Sequence, residues 1–210
     1  MIYFHDVFNG QKYMILTTKI LQEQLNNYSN PNNKIKRMVK KRELYPIRKG
    51  LYENNENVSP KYLANAIYGP SYISFNYALS YYGLIPEAVH QVTSATMLKG
   101  KKKEYSNAFG NFSYRDIPAE AYPYGINIIT ENGYSYMIAT KEKALCDKLY
   151  ELPNIKNQKD LENVLFEDMR IDRLLFEELN RQDIFFIAPK YYSNNLKLLV
   201  SYLRRRKYHE

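Results

Sequence analysis

The sequence predicts an α+β protein, on three observations. Apolar residues recur at helical spacing to about position 42 and then give way to a short hairpin pattern. Four β-like runs separated by Gly, Asn and Lys clusters occupy about 89–139. A 3.6-residue period then returns and holds over about 140–207. The expected organisation is a small N-terminal unit, 1–56, and a mixed unit, 57–210, with a small antiparallel sheet followed by C-terminal helices.

Taken in order, "IYFHDVFNG" is a short aromatic candidate for a first helix, cut by Phe8-Asn9-Gly10. In "TTKILQEQLNN", Ile20, Leu21 and Leu25 fall at helical spacing behind Thr17 or Thr18 as N-cap. "NYSNPNN" is made of turn formers and breaks the chain. A second helix restarts with Asn32 or Asn33 as cap and Ile35, Met38 and Val39 as its apolar face. Two short strands follow over 44–47 and 51–53, turning on Gly50, with Pro46 confining the first to a sheet edge. Helix, turn, basic helix, hairpin is the order of a winged helix-turn-helix.

"ENNENVSPK" is polar and turn-rich and marks a boundary between residues 53 and 61. "PKYLANAIYG" reads as a helix, and "SFNYALSYYGLIPE" as another, capped by Ser74 and closed by Gly83. "VHQVTSAT", "FGNFSYRDI", "YGINIIT" and "YSYMIAT" are the four β-like runs. "TKEKALCDKLYEL" returns to helix, with Thr140 as cap, Ala144, Leu145, Leu149 and Leu152 as the buried stripe, and Cys146 packed beside it. "QKDLENVLFEDM", "IDRLLFEELNR" and "NNLKLLVSYLRRRKY" complete the helical end.

Composition narrows the function classes. A hydrophobic fraction of 45% supports a sizeable core. No stretch approaches the roughly 18 apolar residues of a membrane span. The N-terminus lacks the basic-then-apolar order of a signal peptide, and a single cysteine forms neither an internal disulfide nor a thiolate zinc site. The expectation is a soluble protein of a reducing cytoplasm, with no membrane partner. Net charge is +8, and residues 1–70 carry 11 Lys/Arg against 5 Asp/Glu. Residues 71–152 carry 8 of each, so the excess points to one polyanion-binding module on a neutral body. The 22 tyrosines come with abundant Asn, Lys and Ile and no Trp. All four enriched residues have AT-rich codons, so tyrosine number alone is no sign of base stacking.

The basic helix carries the chemistry. With Ile35 at zero, Val39 falls at roughly 40° and Met38 at roughly 300°. Asn33, Lys36, Arg37, Lys40 and Lys41 then form the opposite side, with Lys34 and Arg42 nearer its margins. No acidic residue interrupts 34–42, so i,i+4 pairs worth roughly 0.2–0.5 kcal/mol each are forgone. A polyanion completes that pairing, and such a face suits the major groove of double-stranded DNA. Arg48 and Lys49 at the hairpin tip add contacts to backbone or minor groove. With about five to seven such contacts, log affinity should fall against log salt with slope about −4.5 to −6. The competing reading is a lysine-rich solvated helix in a lysine-biased chain.

Other candidates are weaker. His5, His90 and His209 lack ligand-like spacing, so no metal site and no cofactor are expected. Asp160, Glu162, Glu167, Asp168 and Asp172 alternate with Leu and Phe like a solvated helix face. Ser71, Ser74 and Ser80 lie outside any GxSxG elbow, and no phosphate loop is present, so no catalytic residue and no enzyme are expected. Lys101, Lys102 and Lys103 form a loop tip, solvated or a second DNA contact. The tail at 204–207 either binds phosphate or answers its helix dipole.

"KIKRMVKKRELYPIRKGLYE", "GPSYISFNYALSYYGLIPE", "VTSAT" and "YMIATKEKALCDKLYEL", in this order, resemble the AbiEi-type antitoxin family of abortive-infection toxin–antitoxin systems of type IV. The resemblance covers about 14–152 and thins beyond. It implies an N-terminal winged helix that represses its own operon promoter, with Asn33, Lys36, Arg37, Lys40, Lys41, Arg48 and Lys49 on the DNA-binding helix and wing. It also implies a C-terminal antitoxin domain that counteracts a nucleotidyltransferase-like toxin without a stable complex. Inverted-repeat operators are served by paired protomers or by one monomer per half-site, which leaves the oligomeric state open. "SYIS" and "EKAL" match family motifs that imply no catalytic role. "NYSNPNN" is longer than the three or four residues expected between the two helices. A direct toxin-binding protein and a generic winged-helix regulator are the alternatives.

Overall fold

Side-chain caps set the first elements. The structure is a computed structural model and describes residues 14–206, so the candidate helix at 2–10 lies outside the described residues. Strand β1 (Ile15–Thr17) runs into helix α1 (Thr18–Gln24), where the Thr17 hydroxyl accepts from the Ile20 amide at 3.2 Å. Helix α2 spans Pro31–Lys40. Its cap falls earlier than Asn32 or Asn33: Asn30 Oδ1 accepts from the Asn33 amide at 3.0 Å. The reason is Pro31, whose fixed φ and missing N–H suit the first helical position and push the cap to the residue before it.

Helix α2 stops without glycine. Arg42 takes φ 58, the Arg42 amide donates to Val39 O at 3.1 Å, and the Glu43 amide donates to Met38 O at 2.9 Å. This is a Schellman closure in which an arginine holds the left-handed position that glycine usually fills. Strands β2 (Tyr45–Arg48) and β3 (Leu51–Glu53) form the hairpin, and the three-stranded antiparallel sheet has the order β1-β3-β2. Pro46 therefore lies on an edge strand, where its missing donor breaks no ladder. Gly50 turns at φ 81, and its carbonyl accepts from the Thr18 amide at 3.0 Å, tying the hairpin tip to the start of α1.

The body is α+β, built on a six-stranded sheet of order β6-β7-β5-β4-β9-β8. Its strands are β4 (Tyr72–Ile73), β5 (Val92–Thr96), β6 (Lys103–Asn107), β7 (Gly110–Asp116), β8 (Ile126–Glu131) and β9 (Tyr134–Ala139). The sheet is mixed rather than purely antiparallel: β5 pairs with β7, and β4 with β9, in parallel. Strand β4 comes from "SYIS", between helices α3 (Pro60–Ile67) and α4 (Phe75–Tyr81). With both residues buried, β4 shows no polar alternation to betray it.

Both sheet faces are covered. On one, Tyr62 of α3 stacks on Tyr134 with centroids 4.8 Å apart, and the Tyr114 hydroxyl donates to Ala64 O at 2.7 Å. On the other lies helix α5 (Lys141–Glu151), with Thr140 as its cap, where Tyr72 reaches Asp147 and Arg115 pairs with Glu151. Helix α5 also packs on α4 and on the C-terminal helices α8 (Arg181–Ile187) and α9 (Asn194–Arg205), so it is buried nearly all round.

The helical end differs from its periodicity. Helix α6 (Gln158–Asn163) widens into a π-helical turn, Val164–Asp168. "IDRLLFEELNR" splits into α7 (Arg173–Glu177) and the start of α8, because Asn180 Oδ1 caps the amides of Gln182 and Asp183. Leu16, Leu21, Leu25, Ile35, Met38 and Leu44 form an N-terminal core of their own, whereas Ile47 and Leu51 belong to the core of the body. Asn107 Nδ2 donates to Ile47 O at 3.0 Å, and the Tyr134 hydroxyl donates to Glu53 Oε1 at 3.1 Å. The hairpin is thus anchored to the body. No helix among the described residues is long and apolar enough to cross a membrane.

Candidate nucleic-acid interface

Helix α2 separates its two faces sharply. Ile35 and Met38 are 3% and 2% exposed and pack against Leu21 and Leu25 of the preceding helical turn. Asn33, Lys36, Arg37, Lys40 and Lys41 are all exposed, as are Arg48 and Lys49 on the hairpin. Val39 is only partly buried, on the margin of the small core. The Gln22 side chain donates to Asn32 Oδ1 at 2.8 Å and braces α1 against the start of α2.

Charge on this surface lacks internal partners. Among the described residues, none of Lys36, Arg37, Lys40, Lys41, Arg48 and Lys49 is in an ion pair. The other basic candidates differ. Arg206 pairs with Glu177 at 2.8 Å, Arg205 donates to Gln158 Oε1 at 3.0 Å, and the Arg204 guanidinium stacks over Phe185 at 5.5 Å. Lys102 pairs with Glu104 at 2.5 Å, and Asp116 clamps the loop by accepting from the Lys99 and Gly100 amides. The tail at 204–206 and Lys102 are engaged by the protein itself; the helix face has no ion pair among the described residues.

Asn33, Arg37 and Lys41 come together around one recess of about 300 Å³, which Tyr28, Lys34 and Glu43 also line. The Lys34 ammonium lies 5.1 Å from the Tyr28 ring centroid. Lys36 and Lys40 sit one turn apart on the neighbouring strip of the helix. Tyr28 and Glu43 were not expected here. Tyr28 sits inside "NYSNPNN", and nothing in that turn-former run marks it as a wall of the recess. Chemically, a cationic face exposed in this way can meet phosphates, and Asn and Arg side chains carry donors that base edges can accept.

A second cluster is buried and serves the fold. Lys143, Asp147, Tyr72, Ser74 and Tyr191 are all buried. The Lys143 ammonium donates to Ala121 O at 2.6 Å and to the Tyr191 hydroxyl at 2.7 Å, and stands 3.5 Å from Asp147. Asp147 accepts from the hydroxyls of Tyr72 at 2.9 Å, Ser74 at 2.6 Å and Tyr191. Ser74 is thus the N-cap residue of α4, but its hydroxyl turns to Asp147 instead of the helix.

Burial pushes the Tyr72 and Tyr191 hydroxyls well above the ordinary tyrosine range, with Asp147 adding to the effect. It pulls the Lys143 amine down against the opposing pull of Asp147. Burial likewise drives the Cys146 thiol up, which keeps it protonated and inert. "SYIS" and "KEKALCD", read separately in sequence, are two halves of one hydrogen-bond network. Among the described residues no group of three or more His, Cys, Asp or Glu is placed to hold a metal ion.

Compared with known proteins, the chain matches no family model and no curated protein.

Proposed function

We propose that the chain is a DNA-binding transcriptional repressor whose N-terminal unit is a winged helix, with α2 as recognition helix and the β2–β3 hairpin as wing. The observation that carries the reading is the exposed cationic face of α2, free of ion pairs among the described residues and backed by an apolar face of its own. Two helices inserted between β1 and β2, closed by a sheet of order β1-β3-β2, support the winged-helix assignment. Lys36, Lys40 and Lys41 neutralise phosphates, Asn33 and Arg37 read base edges, and Arg48 and Lys49 grip the flanking backbone. Through its resemblance to AbiEi-type antitoxins, the repressor acts on its own operon, and its body counteracts a nucleotidyltransferase-like toxin without a stable complex.

Fluorescence anisotropy with a duplex from upstream of its own gene, and a shuffled duplex of equal composition, tests the reading. The upstream duplex should bind at least about a thousandfold more tightly. Log affinity should fall with log salt at a slope near about −5. Equal affinity for the two duplexes, or a flat salt response, refutes it. A stable complex co-purifying with the neighbouring gene's product would overturn the claim about the toxin.

A further inference from the structure

A cavity of about 670 Å³ opens in the body among α4, α5, the 153–156 connection, α6 and the π-helical turn. None of its lining residues belongs to the N-terminal unit. Its volume falls within the roughly 300–1,000 Å³ of small-molecule sites. Ile85, Val89, Leu152, Ile155, Val164 and Met169 make apolar walls. The π-helical turn contributes Val164 and Asp168 to the lining. Such widened turns cost hydrogen-bond geometry and recur at functional sites.

The charge in this cavity is asymmetric. Lys148 lines it with only 15% of its side chain exposed. Its ammonium stands 3.7 Å from Glu151 Oε2, while Arg115 pairs with the other oxygen of the same carboxylate. Lys148 and Arg115 share Glu151, so the Lys148 ammonium holds only part of one carboxylate beside an apolar wall. Burial, reinforced by the Arg115 charge, pulls the Lys148 amine below the ordinary lysine range. Among the described residues none of the lining acids is in an ion pair with Lys148. Glu87 is held by Arg170, Asp160 accepts from the Asn157 side chain at 2.9 Å, and Asp168 is exposed.

We propose that this cavity binds a small amphipathic carboxylate, its apolar body against Ile85, Leu152, Val164 and Met169 and its carboxylate on Lys148. Lys156 stands exposed in the same lining, and Asn76 adds an amide. The inference is independent of DNA binding. Isothermal titration calorimetry of the full chain with octanoate and 1-naphthylacetate, each against its neutral amide, tests it. A charge-assisted bond to a half-buried ammonium predicts that an acid binds about ten- to a hundredfold more tightly than its amide. Lys148→Met should erase that preference while leaving amide binding in place. Met169→Trp, which fills the cavity and keeps Lys148, should abolish binding of acid and amide alike. Equal binding of acid and amide, no binding of either acid, or a preference that survives Lys148→Met overturns the proposal.

Discussion

Replacing Lys36 and Lys40 together by alanine should leave the fold nearly unchanged and sharply weaken DNA binding. Both side chains are exposed on α2, and neither is ion-paired among the described residues. They are like charges at i,i+4, a spacing that costs roughly 0.2–0.5 kcal/mol and is relieved by the substitution. Lys40 lies in the last turn, so losing its favourable dipole interaction takes back about 0.3–1 kcal/mol. The two effects offset, and the urea midpoint should correspond to a change below about 0.5 kcal/mol. Binding has no such offset. Five phosphate-facing cations on helix and hairpin give a salt slope of about −4.5, and three give about −2.7. Between about 50 and 200 mM salt, affinity for the upstream duplex should then fall roughly 500-fold in the parent and roughly 40-fold in the double variant. Anisotropy titrations at four salt concentrations measure both slopes. Lys159 and Lys197, exposed on the body, supply a comparison pair whose joint replacement removes the same charge. If that pair flattens the slope as much as Lys36 and Lys40 do, net charge explains the binding and the face of α2 does not. An unchanged slope in the Lys36/Lys40 variant refutes the assignment of those contacts outright.

Three further outcomes follow from the structure. Lys143→Met leaves Asp147 buried without its cation and should cost about 3–5 kcal/mol in urea unfolding. Lys143→Met with Asp147→Leu should cost at least about 1 kcal/mol less than the sum of the single changes, and strict additivity would argue against a coupled pair. Asn30→Ala removes the cap of α2 and should cost about 0.5–2 kcal/mol, with a matching fall in DNA affinity if the helix end frays; equal stability would show that Pro31 suffices. Burial holds the Glu53 carboxyl above the usual carboxylate range, against the opposing bonds from Asn55, Tyr134 and Asn54. Its protonated form is favoured in the folded chain, so its contribution is complete below the ordinary carboxylate pKa and is lost as pH rises through the raised value. Glu53→Gln should therefore gain stability over the parent progressively from about pH 4.5 towards 7, and a difference that stays constant with pH would contradict this.

The N-terminal unit was largely legible because its determinants are local. Ile35, Met38 and the exposed cations of α2 follow from helical phase within ten residues, and the cap of α1 is legible as Thr17 or Thr18, of which the structure uses Thr17. The cap of α2 falls at Asn30 instead of Asn32 or Asn33 because Pro31 takes its preferred place at the first helical position. The stop of α2 was invisible because Arg42, not glycine, holds the left-handed turn. In the body, most helix and strand types were legible, but β6 lies outside the four β-like runs, with Lys103 opening the strand instead of ending a loop, and strand partners were not legible. Strand β4 hides inside "SYIS" because both its residues are buried, and parallel pairing between β5 and β7 leaves no mark in either run. Periodicity assigned Lys143 and Asp147 to no role, since the helix side opposite the leucine stripe is ordinarily solvated. Here Tyr72, Ser74 and Tyr191 cover it.

That contrast separates two kinds of information in the chain. Tyr72 and Ser74 lie 75 and 73 residues from Asp147, and Tyr191 lies 44 residues away on the other side. Their hydroxyls converge on one carboxylate, so the network closes only when sheet, α5 and the C-terminal segment have all docked. A buried carboxylate with three hydroxyl donors and one ammonium tolerates little substitution, because each lost partner leaves a desolvated charge. The motifs that carry the resemblance, "SYIS" and "KEKALCD", are therefore constraints of assembly. The exposed cations of α2 face the opposite demand: among the described residues none of them is in an ion pair, so the fold depends little on their identity. Under the proposed function, likeness in the buried motifs speaks for a shared body, while the DNA sequence bound is decided by Asn33, Arg37 and their neighbours on one helix face. Body and reading face can then vary independently, joined where the hairpin meets the body through Glu53, Ile47, Leu51, Asn107 and the Tyr45–Phe109 ring contact.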